Sequence, residues 1–317
     1  MKKLMVILSL AILVLAACHN DQQEAKKYYV SILPQKFFVE KIVEDKFEIA
    51  VLVKPGESPA TYEPTTKQMI DLSKTKALFS IGVPFEQTII PKLKEQYPNL
   101  EIIATDKGIN KHSPESYVDL FHDSHSHHEH EVLENEYDHK HEGLEKKHKH
   151  DHKHEGLDPH IWLSPKLVEQ QVRNIADYFI SAYPQDADFF ADNRDKFIKE
   201  LQAVSQEIKV IFAHNENREF LCFHPAWGYF ADDFDLKQIP IEIEGKEPTP
   251  QEQKRIMEFA KDKGIKFIFV QAQFDQKIAQ SIAEEIGGSV ILIDPLAQDY
   301  LSNLKNIASK IAESMEQ

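Results

Sequence analysis

Residues 186–214 contain neither proline nor glycine, and this stretch limits the architecture more than any other. Phe190, Phe197, Val204 and Ile211 recur at every seventh position, with Leu201 and Ile208 filling the other places of the same seam. That spacing is the apolar stripe of one long amphipathic helix, and Pro184 sits just before it. About 29 residues rising about 1.5 Å each would span roughly 43 Å. A heptad stripe can also mark a coiled-coil dimer, but here it runs for only about four heptads.

What flanks the stripe decides between the two. Before it, short β-branched runs at 28–33, 48–53, 77–82 and 100–105 predict strands, separated by helical patterns at 35–45, 65–74 and 85–96. After it, strands are expected at 220–224, 238–243, 266–271 and 290–294, with helices at 249–263, 276–286 and 300–316. Strands alternating with helices imply mostly parallel sheets covered on both faces. The expected class is α/β, with lobes at 28–185 and 215–317 joined by a rigid linking helix at 186–214. Roughly 300 residues suit two medium lobes better than a single core. An intramolecular strut, and a monomer, follow as the simpler reading. Phe37–Phe38 and Phe189–Phe190 fit core positions, and Gly287-Gly288 fits a helix stop before a strand.

The first residues carry an export pattern. Lys2 and Lys3 precede an apolar run from Leu4 to Ala17 broken only by Ser9. Spanning a bilayer takes about 20 apolar residues, so residues 1–17 are expected to be a cleavable signal peptide. The run ends Leu15-Ala16-Ala17-Cys18, which resembles a bacterial lipobox, with Cys18 as the lipidated residue. Residues 18–27 then read as a polar tether to a membrane lipid anchor. With Cys18 lipidated, Cys222 is the one remaining thiol and no intramolecular disulfide can form. The formal charge of −15 argues against nucleic acid as a partner and is compatible with attracting cations.

Residues 111–155 break the strand–helix rhythm. They hold twelve of the sixteen histidines, and Asp138-His-Lys-His-Glu-Gly-Leu144 recurs as Asp151-His-Lys-His-Glu-Gly-Leu157. So little apolar content cannot offset the entropy of ordering, which predicts a disordered insertion. Neutral imidazoles at close spacing bind metals. His122, His125, His127, His128, His130, His139, His141, His148, His150, His152 and His154 are therefore expected to give auxiliary metal capture without a fixed geometry.

Three isolated positions stand apart from that tract. His160 lies in Asp158-Pro-His-Ile-Trp-Leu-Ser-Pro165, His224 where a strand is expected to end, and Asp294 at another strand end before Pro295. In open α/β sheets, ligands bind beyond the carboxyl ends of strands, so such residues can meet in one cleft. Two imidazoles and a carboxylate suit zinc at about 2.0–2.2 Å and leave a fourth place open. Taken singly, a histidine at a strand end is more often a structural hydrogen-bonding residue.

The combination resembles the solute-binding proteins of zinc and manganese ABC importers, the cluster A-I family. The matching pieces are Gly56-Glu-Ser-Pro-Ala-Thr-Tyr-Glu-Pro-Thr65, Ile81-Gly-Val-Pro-Phe-Glu86, the Asp-Pro-His-Ile-Trp stretch, His224 before Gly228-Tyr-Phe230, Gly245-Lys-Glu-Pro248 and Ile293-Asp-Pro-Leu296. The resemblance implies metal held between two lobes by His160, His224 and Asp294, and delivery to an ABC permease in the cytoplasmic membrane. It places the protein outside the cytoplasm, in the periplasm or at the cell surface. By the family pattern, histidine rather than glutamate at 224 looks more like zinc than manganese, and zinc is the expected metal before manganese or copper. One position departs from the pattern: the family has a histidine after the proline of the first-lobe loop, and here it is Ala60. Water, Glu57, Glu63 or a histidine from 111–155 is left to fill the fourth place, or the place stays vacant.

Two other classes compete with an importer component. A metal-buffering or adhesion lipoprotein would use the same tract without transport. A zinc hydrolase would also have three protein ligands and a water, but no His-Glu-x-x-His pattern supplies its general base. The chain is expected not to be an enzyme.

Overall fold

The computed structural model describes residues 27–114, 156–242, 246–274 and 276–316. The expected signal peptide, Cys18 and the eleven capture histidines lie outside them. Lys27, expected to end the tether, instead opens the first strand.

The first lobe runs β1 (Lys27–Val30), α1 (Leu33–Val43), β2 (Glu48–Val51), α2 (Thr66–Leu72), β3 (Ala77–Ser80), α3 (Pro84–Gln96) and β4 (Glu101–Ala104). Its strands are all parallel, in the order β2-β1-β3-β4. Helix starts are written locally. Pro34 and Pro84 stand in the first turns of α1 and α3, where the missing N–H costs nothing. Thr65 and Gln68 close a capping box at the head of α2.

Next come α4 (Pro165–Ala182) and the long α5 (Ala187–Ile211). Phe190, Phe197, Leu201, Val204 and Ile208 of the heptad seam are buried, while Ile211 is only partly so. Helix α5 packs against α4 and α1. The Asn193 side chain donates to the Ile42 carbonyl at 3.1 Å and fixes the crossing on α1. Each fully buried phenylalanine of this seam contributes about 1.5–3 kcal/mol.

The second lobe repeats the plan with β5 (Glu219–Cys222), α6 (Gly228–Phe234), β6 (Lys237–Pro240), α7 (Pro250–Asp262), β7 (Phe267–Val270), α8 (Lys277–Glu285), β8 (Ser289–Leu292) and α9 (Tyr300–Met315). Its order, β6-β5-β7-β8, is again wholly parallel. Successive strand residues face opposite sides. Phe220 and Cys222 accordingly join the cluster that continues through α5 into the first lobe, whereas Leu221 and Phe223 join a second cluster under α7 and α8. In both sheets the chain leaves the first strand once to each side, so switch points fall between β1 and β3 and between β5 and β7.

Candidate metal site

His224 lies two residues past the end of β5, at the second lobe's switch point, where ligands are expected to bind. The β5–β6 register pairs Cys222 with Pro240, and the Glu242 backbone N donates to the Phe223 carbonyl at 2.9 Å. Continued two residues further, this register brings Glu242 beside His224. Their side chains meet at 2.6 Å, Glu242 Oε2 to His224 Nδ1. On the other side, Phe274 from the loop after β7 stacks on the imidazole, with ring centroids 4.8 Å apart and planes at 23°.

His160 arrives differently. It heads the short 3-10 turn Ile161–Leu163 just before α4. Asp158 is fully buried, and its Oδ1 accepts from the His160 backbone N at 2.9 Å and lies 2.6 Å from Nδ1 of the ring. Trp162, 5.1 Å from the His160 ring, donates its indole N–H to the Pro295 carbonyl at 2.8 Å. That bond brings the Asp294-Pro295 turn of the second lobe against the His160 turn.

The two imidazoles therefore meet across the lobes, with ring centroids 5.3 Å apart and planes at 75°. A carboxylate can only accept, so each Nδ1 is the donor and each Nε2 keeps the lone pair that a metal takes. This carboxylate–imidazole arrangement fixes the tautomer and raises the basicity of the ligating nitrogen. With Asp158 and Glu242 behind the rings, the local charge favours a cation.

Asp294 stands at the end of β8, its Oδ1 accepting from the Leu296 backbone N at 2.9 Å and its carbonyl from the Asn303 side chain at 2.7 Å. It does not complete a trio: among the described residues no three His, Cys, Asp or Glu side chains converge closely enough to hold an ion. Glu57 and Glu63 are exposed in the loop after β2, and Glu57 Oε2 accepts from Lys54 N at 2.8 Å within that loop. Ala60 in the same loop is exposed. Lys111 and His112, at the start of the expected insertion, instead belong to the folded lobes, where the His112 backbone bonds Tyr229 and Asp158. Lys111 bonds Asp106 at 2.6 Å, and the His112 ring packs on Tyr229 with centroids 4.1 Å apart.

Sequence reasoning named Asp158 only as part of a motif and missed Glu242 and Phe274. The only mark on Glu242 was its place near the end of an expected strand, which does not select it without the β5–β6 register. Phe274 sits in a loop and left none.

Comparison with known proteins gives the arrangement a context. ZnuA of Bacillus subtilis strain 168, a high-affinity zinc uptake system protein, is 26% identical over 302 residues, covering 92% of this chain and 87% of the relative. The zinc-binding lipoprotein AdcA of Streptococcus pneumoniae serotype 4 is 27% identical over 305 residues, and the chain spans only 56% of that longer protein. A crystal structure of a 138–173 ZnuA deletion mutant with zinc bound is 36% identical, with a TM-score of 0.76, covering 92% of this chain and 98% of its own. The laminin-binding protein of Streptococcus agalactiae, at 19% identity and a TM-score of 0.73, shares the fold. Residues 29–314 match the family described as zinc-uptake complex component A, periplasmic, and the chain belongs to that family.

Proposed function

We propose that this chain captures zinc outside the cytoplasm through Nε2 of His160 and His224, with Asp294 as a third ligand, and hands it to an ABC permease. Family membership makes it the zinc-binding component of an importer and not an enzyme. The observation that carries the residue assignment is the paired geometry, two imidazoles 5.3 Å apart with each Nδ1 held 2.6 Å from its own carboxylate. Imidazole nitrogen suits zinc better than the harder cations. The Trp162–Pro295 bond supports Asp294 as the third ligand, because it ties the turn that carries this carboxylate to the His160 turn. With Ala60 in place of the family's histidine, the fourth position goes to water or to a donor from another part of the chain.

The same reading assigns residues 1–17 to a lipoprotein signal peptide, Cys18 to lipidation and residues 18–27 to the tether, with lobes at 28–185 and 215–317 about the linking helix. Among the described residues no helix is long and apolar enough to cross a membrane. A chelator-competition titration tests the ligands. His160→Ala, His224→Ala and Asp294→Ala should each weaken tight zinc binding by about tenfold or more, equal to about 1.4 kcal/mol. Unchanged affinity in either histidine variant would remove the shared site. A lipoprotein that only buffers metal would show the same binding, yet its deletion would leave zinc uptake by cells unchanged.

A further inference from the structure

We infer that Tyr229 is a positioning residue for the metal, setting His160 from the opposite lobe through Asp158. The inference rests on the ligand assignment just proposed. Tyr229 is the second residue of α6 and is buried. Its hydroxyl donates to the Asp158 carbonyl at 3.0 Å and accepts from the His112 backbone N at 3.1 Å. Residues 112 and 158 are themselves bonded, Asp158 N to His112 O at 2.8 Å. The hydroxyl thus closes a three-residue ring of hydrogen bonds around the backbone of Asp158, whose side chain in turn carries the His160 imidazole. Burial pushes the phenol up to about 12, so it remains a donor across the physiological range.

Gly228, one residue earlier, makes the approach possible. A Cβ there would lie 3.1 Å from Gln238 Nε2, 3.4 Å from His112 Cε1 and 3.5 Å from Asp158 Oδ2. The backbone of α6 is therefore pressed against the buried carboxylate that aims His160. The same short segment begins with His224. Residues 224–229 thereby place one imidazole directly and the other by way of a hydroxyl and a carboxylate. The spacing between the two ligands is set within one piece of the second lobe, although His160 lies on the first-lobe side of α5 in the chain.

The test is Tyr229→Phe in the full mature protein, which keeps the ring and its packing on His112 and removes the hydroxyl. Removing a group that orients a ligand typically costs about 10–100-fold in metal affinity. Acting one bond further away, Tyr229→Phe should weaken the tight site by about tenfold. In a His160→Ala background the same change should alter affinity by less than about twofold, because the ligand it positions is gone. Long-range proton–nitrogen NMR of the metal-free protein should show the His160 ring as a single tautomer protonated at Nδ1, and a mixture in Tyr229→Phe. Wild-type affinity together with an unchanged His160 signature in Tyr229→Phe would overturn the inference. So would an equal loss of affinity in both backgrounds, which would mark a general loosening of the fold. Wild-type affinity in His160→Ala would bring down the ligand assignment itself, a result the tyrosine variant cannot imitate.

Discussion

Glu242 Oε2 lies 2.6 Å from Nδ1 of His224, the same distance at which Asp158 Oδ1 meets Nδ1 of His160. The two proposed ligands, from different parts of the chain, are thus anchored by one chemical device. Glu242 is 8% exposed and Asp158 fully buried, so neither carboxylate is well screened by solvent. Glu242→Gln keeps the size and an acceptor oxygen but removes the charge behind the ring. Zinc affinity should drop by about 10-fold or more, read by competition with a chelating dye. Affinity equal to wild type would mean that Glu242 only packs against the ring.

Ala60 offers a gain rather than a loss. It is exposed in the loop between β2 and α2, and its surroundings are tied mainly by that loop's own bonds, such as Ala60 N to Ser58 Oγ at 3.3 Å. Ala60→His should therefore cost little stability, since surface changes usually fall within about 0.5 kcal/mol. If the loop faces the metal as the family pattern implies, zinc affinity should rise by about tenfold or more, about 1.4 kcal/mol. Calorimetric titration checks it, and an unchanged affinity would show that another donor already holds the fourth place.

Much of this site follows from strand order, and strand order was legible. Each observed strand falls within or at the edge of a predicted one, because β-branched runs between turn residues leave few alternatives. The long helix was equally plain from its seam, although its last member, Ile211, is half-buried where the heptad put it in the core. Helix α4 was missed despite signals of its own. Ser164 caps it, Pro165 opens it, and Val168, Val172, Ile175 and Phe179 mark a buried face. Helix α6 is seven residues long, too short for any period to declare itself. The two histidines could be singled out from the sequence because each stands apart from the tract, His224 beside an expected strand end and His160 in the Asp-Pro-His-Ile-Trp stretch of the family pattern. Their carboxylate partners could not, since Glu242 acquires its role only from the register of β6 on β5.

A buried acid in the first lobe gives stability a pH signature. Glu86 is 2% exposed at the carboxyl ends of β1 and β3, accepting from Ser31 Oγ, from Ile81 N at 3.0 Å and from Gly82 N at 2.7 Å. Burial outweighs these hydrogen bonds and raises its pKa from the ordinary 4.5 to about 7. Between those values the folded protein holds a proton that the unfolded chain has lost. The stabilisation is therefore full below the lower value and fades as pH rises through the upper one. Thermal melts of wild type and Glu86→Gln at pH values from about 5 to about 8 should show wild type losing ground to the variant across this window. Parallel curves would refute a titration at Glu86.

The histidine tract at 115–154 is expected to collect metal while the cleft defines the transported ion. Its composition is the ground: closely spaced imidazoles among acidic and lysine residues, with few apolar ones to preorganise a tetrahedral site. The cleft imidazoles, by contrast, are held by carboxylates at 2.6 Å on elements of the folded lobes. Many weak sites linked to one tight site raise the local ion concentration without any new contact. Deleting residues 115–154 should lower the zinc stoichiometry to one. The affinity of that remaining site should stay within about threefold of wild type, about 0.6 kcal/mol. Uptake by cells should suffer mainly when zinc is scarce. A tract histidine standing in for the ligand missing at Ala60 would give a different result, because deletion would then weaken the last site as well. Combining the deletion with Ala60→His separates the two: a collecting tract predicts that the added histidine raises affinity equally with and without residues 115–154, whereas a substituting tract predicts a gain only in its absence.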